Sequence, residues 1–157
     1  MKPKIYLETT IISYLTAHPS RDLITAANQQ VTHEWWTFRR DMFDLLTSEI
    51  VVQESSKGDV QMVQKRLVIL ASIALVEVND EANNLAAALL AGKAVPEKAA
   101  VDALHISIAA VHKSNYLLTW NCKHIANGLM QPKIAEVCRA NGYESPLIYT
   151  PFELLGE

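Results

Sequence analysis

Apolar residues along the chain fall into five short runs: Ile5 to Leu7, Phe43 to Thr47, Ile73 to Val78, Tyr116 to Thr119 and Leu147 to Tyr149. Runs this short and this apolar read as strands buried on both faces. Helical periodicity fills the intervals between them. Strands alternating with helices predict an α/β fold, with a parallel sheet covered by helices on both sides.

The polar positions mark where helices start and stop. Ser48 can cap a helix beginning at Glu49, and Gly58 can end it. Asp80 can cap a second helix, with Gly92 just past its end. Pro96 suits the first turn of a third, which runs to about His112. Within that helix Val101, Leu104, Ile108 and Val111 recur at spacings of three and four, which predicts its buried face. Asn141-Gly142 closes a later helix before the last apolar run.

The 157 residues predict a single domain over 1–157, since no Pro-, Gly- or Ser-rich linker divides them. Half are hydrophobic and 20% are charged, an ordinary globular balance. The net charge of −3 excludes a broad basic footprint, so any contact with nucleic acid must be local. Cys122 and Cys138 form no CxxC pair, which argues against a zinc site and for a reducing compartment. Only Ile5-Tyr6-Leu7 precedes Glu8 as an apolar core, too little for a signal peptide. No run reaches the roughly 18–20 apolar residues of a membrane span. The expectation is a cytoplasmic protein with no membrane partner.

In an open parallel sheet, ligands bind beyond the carboxyl ends of the strands, where strand order reverses. The first run is followed by Glu8, Thr9 and Thr10, and the fourth by Trp120 and Asn121. A third candidate is Asp102, in Val101-Asp102-Ala103-Leu104-His105, where apolar neighbours make an unpaired carboxylate costly. His105 lies three residues on and can share a helix face with it. Glu54 ends the apolar stretch of its helix and can point inward, with Glu49 as its competitor. Three acids and an amide are hard oxygen ligands that suit Mg²⁺ or Mn²⁺. A cluster of acids also calls for a cation, because like charges repel.

Each candidate has a plainer reading. Glu8 can be a surface acid, and Asp102 a buried acid satisfied by backbone or by His105. Glu54 can lie on a solvated helix face, and Asn121 can be a turn former. His105 reads as a packing or ligand-supporting residue and His124 as structural. Thr9 and Thr119 can hold a metal-bound water or cap backbone groups. Trp35-Trp36 beside Phe38 and Met42 reads as core for at least one indole. Arg39, Arg40, Lys65, Arg66 and Lys123 are candidates for phosphate contact.

These residues, in this order, resemble the PIN domain, above all the VapC-like toxins of bacterial toxin–antitoxin pairs. The resemblance runs through Ile5-Tyr6-Leu7-Glu8-Thr9-Thr10, Ser48-Glu49-Ile50-Val51-Val52-Gln53-Glu54 and Pro96 to His105. It continues through Tyr116-Leu117-Leu118-Thr119-Trp120-Asn121 to Thr150-Pro151-Phe152-Glu153-Leu154-Leu155. It implies a three-layer α/β/α fold with five parallel strands in the order 3-2-1-4-5. It implies a metal-dependent endoribonuclease that hydrolyses RNA phosphodiesters, with Glu8, Glu54, Asp102 and Asn121 as catalytic, Mg²⁺- or Mn²⁺-holding residues. It also implies a homodimer and an antitoxin partner. Glu8 and Asn121 depart from the pattern, since Asp is usual at both places, and Lys123 falls near where a further acid often stands. One metal therefore fits better than two, and the alternative is a degenerate PIN module that binds RNA or protein without cutting. A small nucleotide-binding α/β protein is the weaker reading, because no GxGxxG or Walker loop follows the first strand.

Three expectations follow for the structure. The acids should converge on one pocket with Asn121 at its rim. Their mutual repulsion should raise at least one carboxyl pKa. A second copy should cover apolar surface around Trp35, Trp36, Phe38 and Met42.

Overall fold

A computed structural model describes residues 1–156. Its five strands are β1 (Lys4–Leu7), β2 (Asp44–Ser48), β3 (Ala74–Val76), β4 (Tyr116–Leu118) and β5 (Leu147–Tyr149). All pair in parallel, in the order β3-β2-β1-β4-β5. Ile5, Tyr6 and Leu7 of the central strand are fully buried, as an apolar run covered on both faces must be.

Seven helices link the strands: α1 (Thr9–Thr16), α2 (Leu23–Phe38), α3 (Glu49–Ser55), α4 (Val60–Leu70), α5 (Asp80–Ala91), α6 (Ala100–Val111) and α7 (Gln131–Ala140). Helices α1 to α4 pack on one another, and α5 packs along both α6 and α7. These groups form the two outer layers. The chain steps from β1 out to β2 and β3, then crosses back over to β4 on the other side of β1. Strand order therefore reverses between β1 and β4, and their carboxyl ends flank the crevice.

Local chemistry moved some boundaries. The helix from Glu49 stops at Ser55, and Gly58, with φ +98°, turns the chain into α4. Ser48 stands at the N-cap of α3 but makes no cap bond, because its hydroxyl is held elsewhere. Asn79, rather than Asp80, caps α5 by accepting from the Ala82 amide at 2.9 Å. Pro96 leads into a short 3-10 turn, Glu97–Ala99, and α6 follows it. Asn141-Gly142 does close α7, with Gly142 at φ +88°.

The face expected for α6 was wrong at its start. Val101 is exposed, while Ala103, His105, Ile106, Ser107, Ile108, Ala109 and Ala110 are all buried. Helix α6 lies between α5 and the sheet, so burial runs around it and a single stripe cannot describe it. Trp35 is core, with no exposed surface, and Trp36 is half-buried under the Arg40 guanidinium at 4.4 Å. Only Phe38 and Met42 of that group are exposed, so Trp35 is not available to a second copy.

Candidate metal centre

Glu8 is the first residue after β1 and the N-cap of α1. Its carboxylate is 4% exposed, a costly place for a charge without partners. It has three donors, all on Oε1: the Thr10 amide at 3.2 Å, the Thr10 hydroxyl, and the Thr119 hydroxyl at 2.6 Å. The same hydroxyls accept in turn. Thr10 Oγ1 takes the Trp120 amide at 2.8 Å, and Thr119 Oγ1 takes the Asn121 amide at 2.9 Å. The start of α1 and the end of β4 are thus stitched together around one carboxylate oxygen.

Glu54, in the last turn of α3, faces the same place. Its Oε1 accepts from the Thr9 hydroxyl and meets His105 Nε2 at 2.7 Å. Glu49 is exposed and lies beside Leu75 to Val78, away from this cluster. His105 is fully buried, and its Nδ1 meets the Tyr6 phenol at 2.8 Å. That phenol meets Ser48 Oγ at 2.7 Å. Ligand atoms of Glu8, Glu54 and His105 all lie within 4.8 Å of one another.

Asp102 sits in the first turn of α6, one turn before His105. It stands outside that trio and is paired through Oδ2 with His124 Nδ1 at 3.1 Å. Asn121 is engaged locally. Its Oδ1 accepts from the His124 amide at 3.0 Å, and its backbone oxygen accepts from Ile125 and Ala126. It forms the turn that delivers His124 to Asp102.

A pattern unites the three acids. Glu8, Glu54 and Asp102 each commit one carboxylate oxygen to the protein, and the other oxygen accepts no bond among the described residues. A carboxylate anchored this way is fixed in direction and still has a ligand atom to offer. Glu8 and Glu54 could together hold a hard divalent cation, with His105 beside them, whereas Asp102 is not brought into this group.

The expected rise in a carboxyl pKa is not seen at Glu54. Burial pushes that carboxyl up, but hydrogen bonds from His105 and Thr9, with the charge of Lys57, outweigh it, and its pKa is lowered. Burial also holds the Tyr6 phenol far above its ordinary range, so it stays protonated. A lowered folded-state pKa means that Glu54 stabilises the fold above its ordinary value of 4.5 and loses that contribution as pH falls through the lower folded value. Urea unfolding between neutral pH and about pH 3 should show it, with Glu54→Gln flattening the acid limb of the stability profile.

The basic residues do not gather here. Arg39 and Arg40 precede β2 and so lie toward the amino ends of the strands, where Arg39 binds the Gly156 carbonyl at 3.2 Å. Arg66 clamps the carbonyls of Ser55 and Lys57 at 3.1 and 2.9 Å, fixing the α3–α4 turn. Lys57 is close enough for its charge to act on Glu54, and Lys123 lies in the turn after Asn121. Sequence reasoning missed Tyr6, Ser48 and Thr10. A tyrosine in a central strand was the available signal, because a buried phenol needs a partner.

No protein-family model matches the chain, and no curated protein matches it in sequence. Solved structures do match in shape. VapBC2 from Rickettsia felis, bound to a DNA fragment from its promoter, superposes with a TM-score of 0.59 at 17% identity, covering 93% of this chain and 97% of that one. VapC20 from Mycobacterium tuberculosis, a toxin that cleaves the sarcin-ricin loop, gives 0.57 at 16% identity, covering 73% of this chain and 87% of that one. The chain shares the fold of these two proteins, with five parallel strands in the order 3-2-1-4-5 between helical layers.

Proposed function

We propose that this protein is a divalent-metal-dependent endoribonuclease and the toxin of a toxin–antitoxin pair. The observation that supports the reading is Glu8 and Glu54 held close together beyond the carboxyl end of β1, each with one oxygen anchored and the other open. Glu8, Glu54 and Asp102 would hold Mg²⁺ or Mn²⁺, with Asn121 at the rim. When bound, such an ion supplies Lewis acidity, which makes water a better nucleophile and offsets charge on a phosphate. The chain's own part is to orient. Thr10 and Thr119 fix Glu8, Thr9 and His105 fix Glu54, and His124 fixes Asp102. Lys57, whose charge acts on Glu54, and Lys123, in the turn after Asn121, would meet phosphates of the RNA.

Incubation with mixed RNA tests this directly. Cleavage is expected with Mg²⁺ or Mn²⁺ and none with EDTA. RNA binding without cleavage under any metal would favour a degenerate module, a reading supported by the commitment of the Asn121 oxygen to the His124 amide. Among the described residues no helix is long and apolar enough to cross a membrane.

The resemblance in fold extends the proposal to partners. An antitoxin protein would neutralise the toxin, and two copies would pair through apolar surface that includes Phe38 and Met42, 74% and 56% exposed. Light scattering at micromolar concentration should report a dimer, and Phe38→Ser with Met42→Ser should shift it to monomer. A monomer throughout would remove the pairing without touching the catalytic reading.

A further inference from the structure

Four buried or half-buried side chains form one continuous row: Ser48, Tyr6, His105 and Glu54. The contacts are 2.7 Å from Ser48 Oγ to the Tyr6 phenol, 2.8 Å from the phenol to His105 Nδ1, and 2.7 Å from His105 Nε2 to Glu54 Oε1. Ser48, Tyr6 and His105 are fully buried, so each proton must find an acceptor within the row.

The protons can be assigned by elimination. The Glu54 carboxylate is an acceptor only. If neutral His105 held its proton on Nδ1, the Nε2 lone pair would face the Glu54 carboxylate, lone pair against lone pair. The Tyr6 hydrogen would then pass to Ser48, and the Ser48 hydrogen would have no acceptor among the described residues. The opposite order satisfies every group. Ser48 donates to the phenol oxygen, the phenol donates to Nδ1, and Nε2–H donates to Glu54 Oε1.

We infer that His105 is a positioning residue, locked by Tyr6 and Ser48 in its Nε2–H form so that it pins one oxygen of Glu54 and presents the other to a divalent cation. The inference rests on the metal centre proposed above and adds what aims it. Sheet register explains how the row is built. Tyr6 pairs with Leu46, so Ser48, two residues further along β2, projects on the same face as Tyr6. His105 approaches from α6 and Glu54 from α3, so the row ties β1 and β2 to a helix from each outer layer. Ser48 gives up a cap bond to its own helix to take part, which a purely local role would not require.

Two measurements test this on the full chain. Long-range ¹H–¹⁵N correlation spectra show which ring nitrogen of His105 bears hydrogen, and the Nε2–H form is expected in the wild type. Titration calorimetry with Mn²⁺ alone then compares wild type with Tyr6→Phe, His105→Ala and His105→Gln, with circular dichroism monitoring the fold. Losing an outer partner of a metal ligand typically weakens binding by about 10–100-fold. Tyr6→Phe and His105→Ala should weaken Mn²⁺ binding at least about tenfold. His105→Gln, whose amide can donate from near the Nε2 position, should recover most of the loss. A folded Tyr6→Phe protein that binds Mn²⁺ like wild type overturns the inference, as does an Nδ1–H ring in the wild type. Wild type that binds no Mn²⁺ at millimolar levels overturns the metal centre itself and this inference with it.

Discussion

Asp102→Asn is expected to lose RNA cleavage by more than about a hundredfold, the upper end of what removing an outer partner of a metal ligand costs, while keeping its fold. Asparagine keeps an oxygen able to accept from His124 Nδ1, so the pairing at 3.1 Å survives in shape. What disappears is the charge that would help to retain a divalent ion. The cost to the fold is small, since Asp102 sits in the first turn of α6 with 22% of its side chain exposed. Losing a negative charge there removes about 0.3–1 kcal/mol of interaction with the helix dipole. Asn121→Asp is the informative companion. The new carboxylate can still accept from the His124 amide, and its second oxygen would stand where the amide nitrogen now does. Tighter Mn²⁺ binding and higher activity are expected. Gain of cleavage by Asn121→Asp from an inactive wild type would identify the native chain as a binding module. An Asp102→Asn protein that cleaves normally would remove Asp102 from the site.

The strands could be read from sequence because their apolar runs are short and bounded, and β5 was placed residue for residue. The α3–α4 boundary could not. Gly58 looked like a helix end, but the Arg66 clamp on the Ser55 and Lys57 carbonyls sets the turn, and those contacts span eleven and nine residues. Helix α6 misled for a related reason: periodicity describes one buried face, and from His105 to Ala110 every residue of this helix is buried.

The position of Glu8 was legible because parallel sheets put ligands beyond the carboxyl ends of their strands, whereas the separation of Asp102 from Glu8 and Glu54 and the local turn made by Asn121 were not. The supports of the acids were not legible either. Whether Thr119 reaches Glu8, or Ser48 reaches Tyr6, depends on which strands are neighbours and in what register. At Glu54 the pKa expectation failed for the same reason. Repulsion between acids can be anticipated from a count of charges, but the donors that outweigh it at Glu54 come from Thr9, 45 residues away in sequence, and from His105, 51 away.

Trp35→Ala should be among the most destabilising single substitutions outside the site. Its indole has no exposed surface and begins an aromatic row across the sheet. Its ring centroid is 5.8 Å from that of Phe43, which stands edge-on to Tyr116 at 5.7 Å, and Tyr116 reaches Tyr149 at 6.1 Å. Truncating a buried Trp costs about 3–5 kcal/mol, which for a domain of this size lowers Tm by roughly 6–20 °C. Trp35→Phe separates the ring from its polar atom. The indole N–H is buried with no acceptor among the described residues, and an unpaired buried donor costs about 1–3 kcal/mol. Phenylalanine keeps the ring contact with Phe43 and removes that donor, so it should recover most of the stability lost in Trp35→Ala. Thermal melts at several protein concentrations also separate core from interface. A core residue shifts Tm equally at every concentration, whereas Phe38→Ser should matter only where a dimer forms. If Trp35→Phe melts as low as Trp35→Ala, the full indole volume and not the unpaired N–H governs the site.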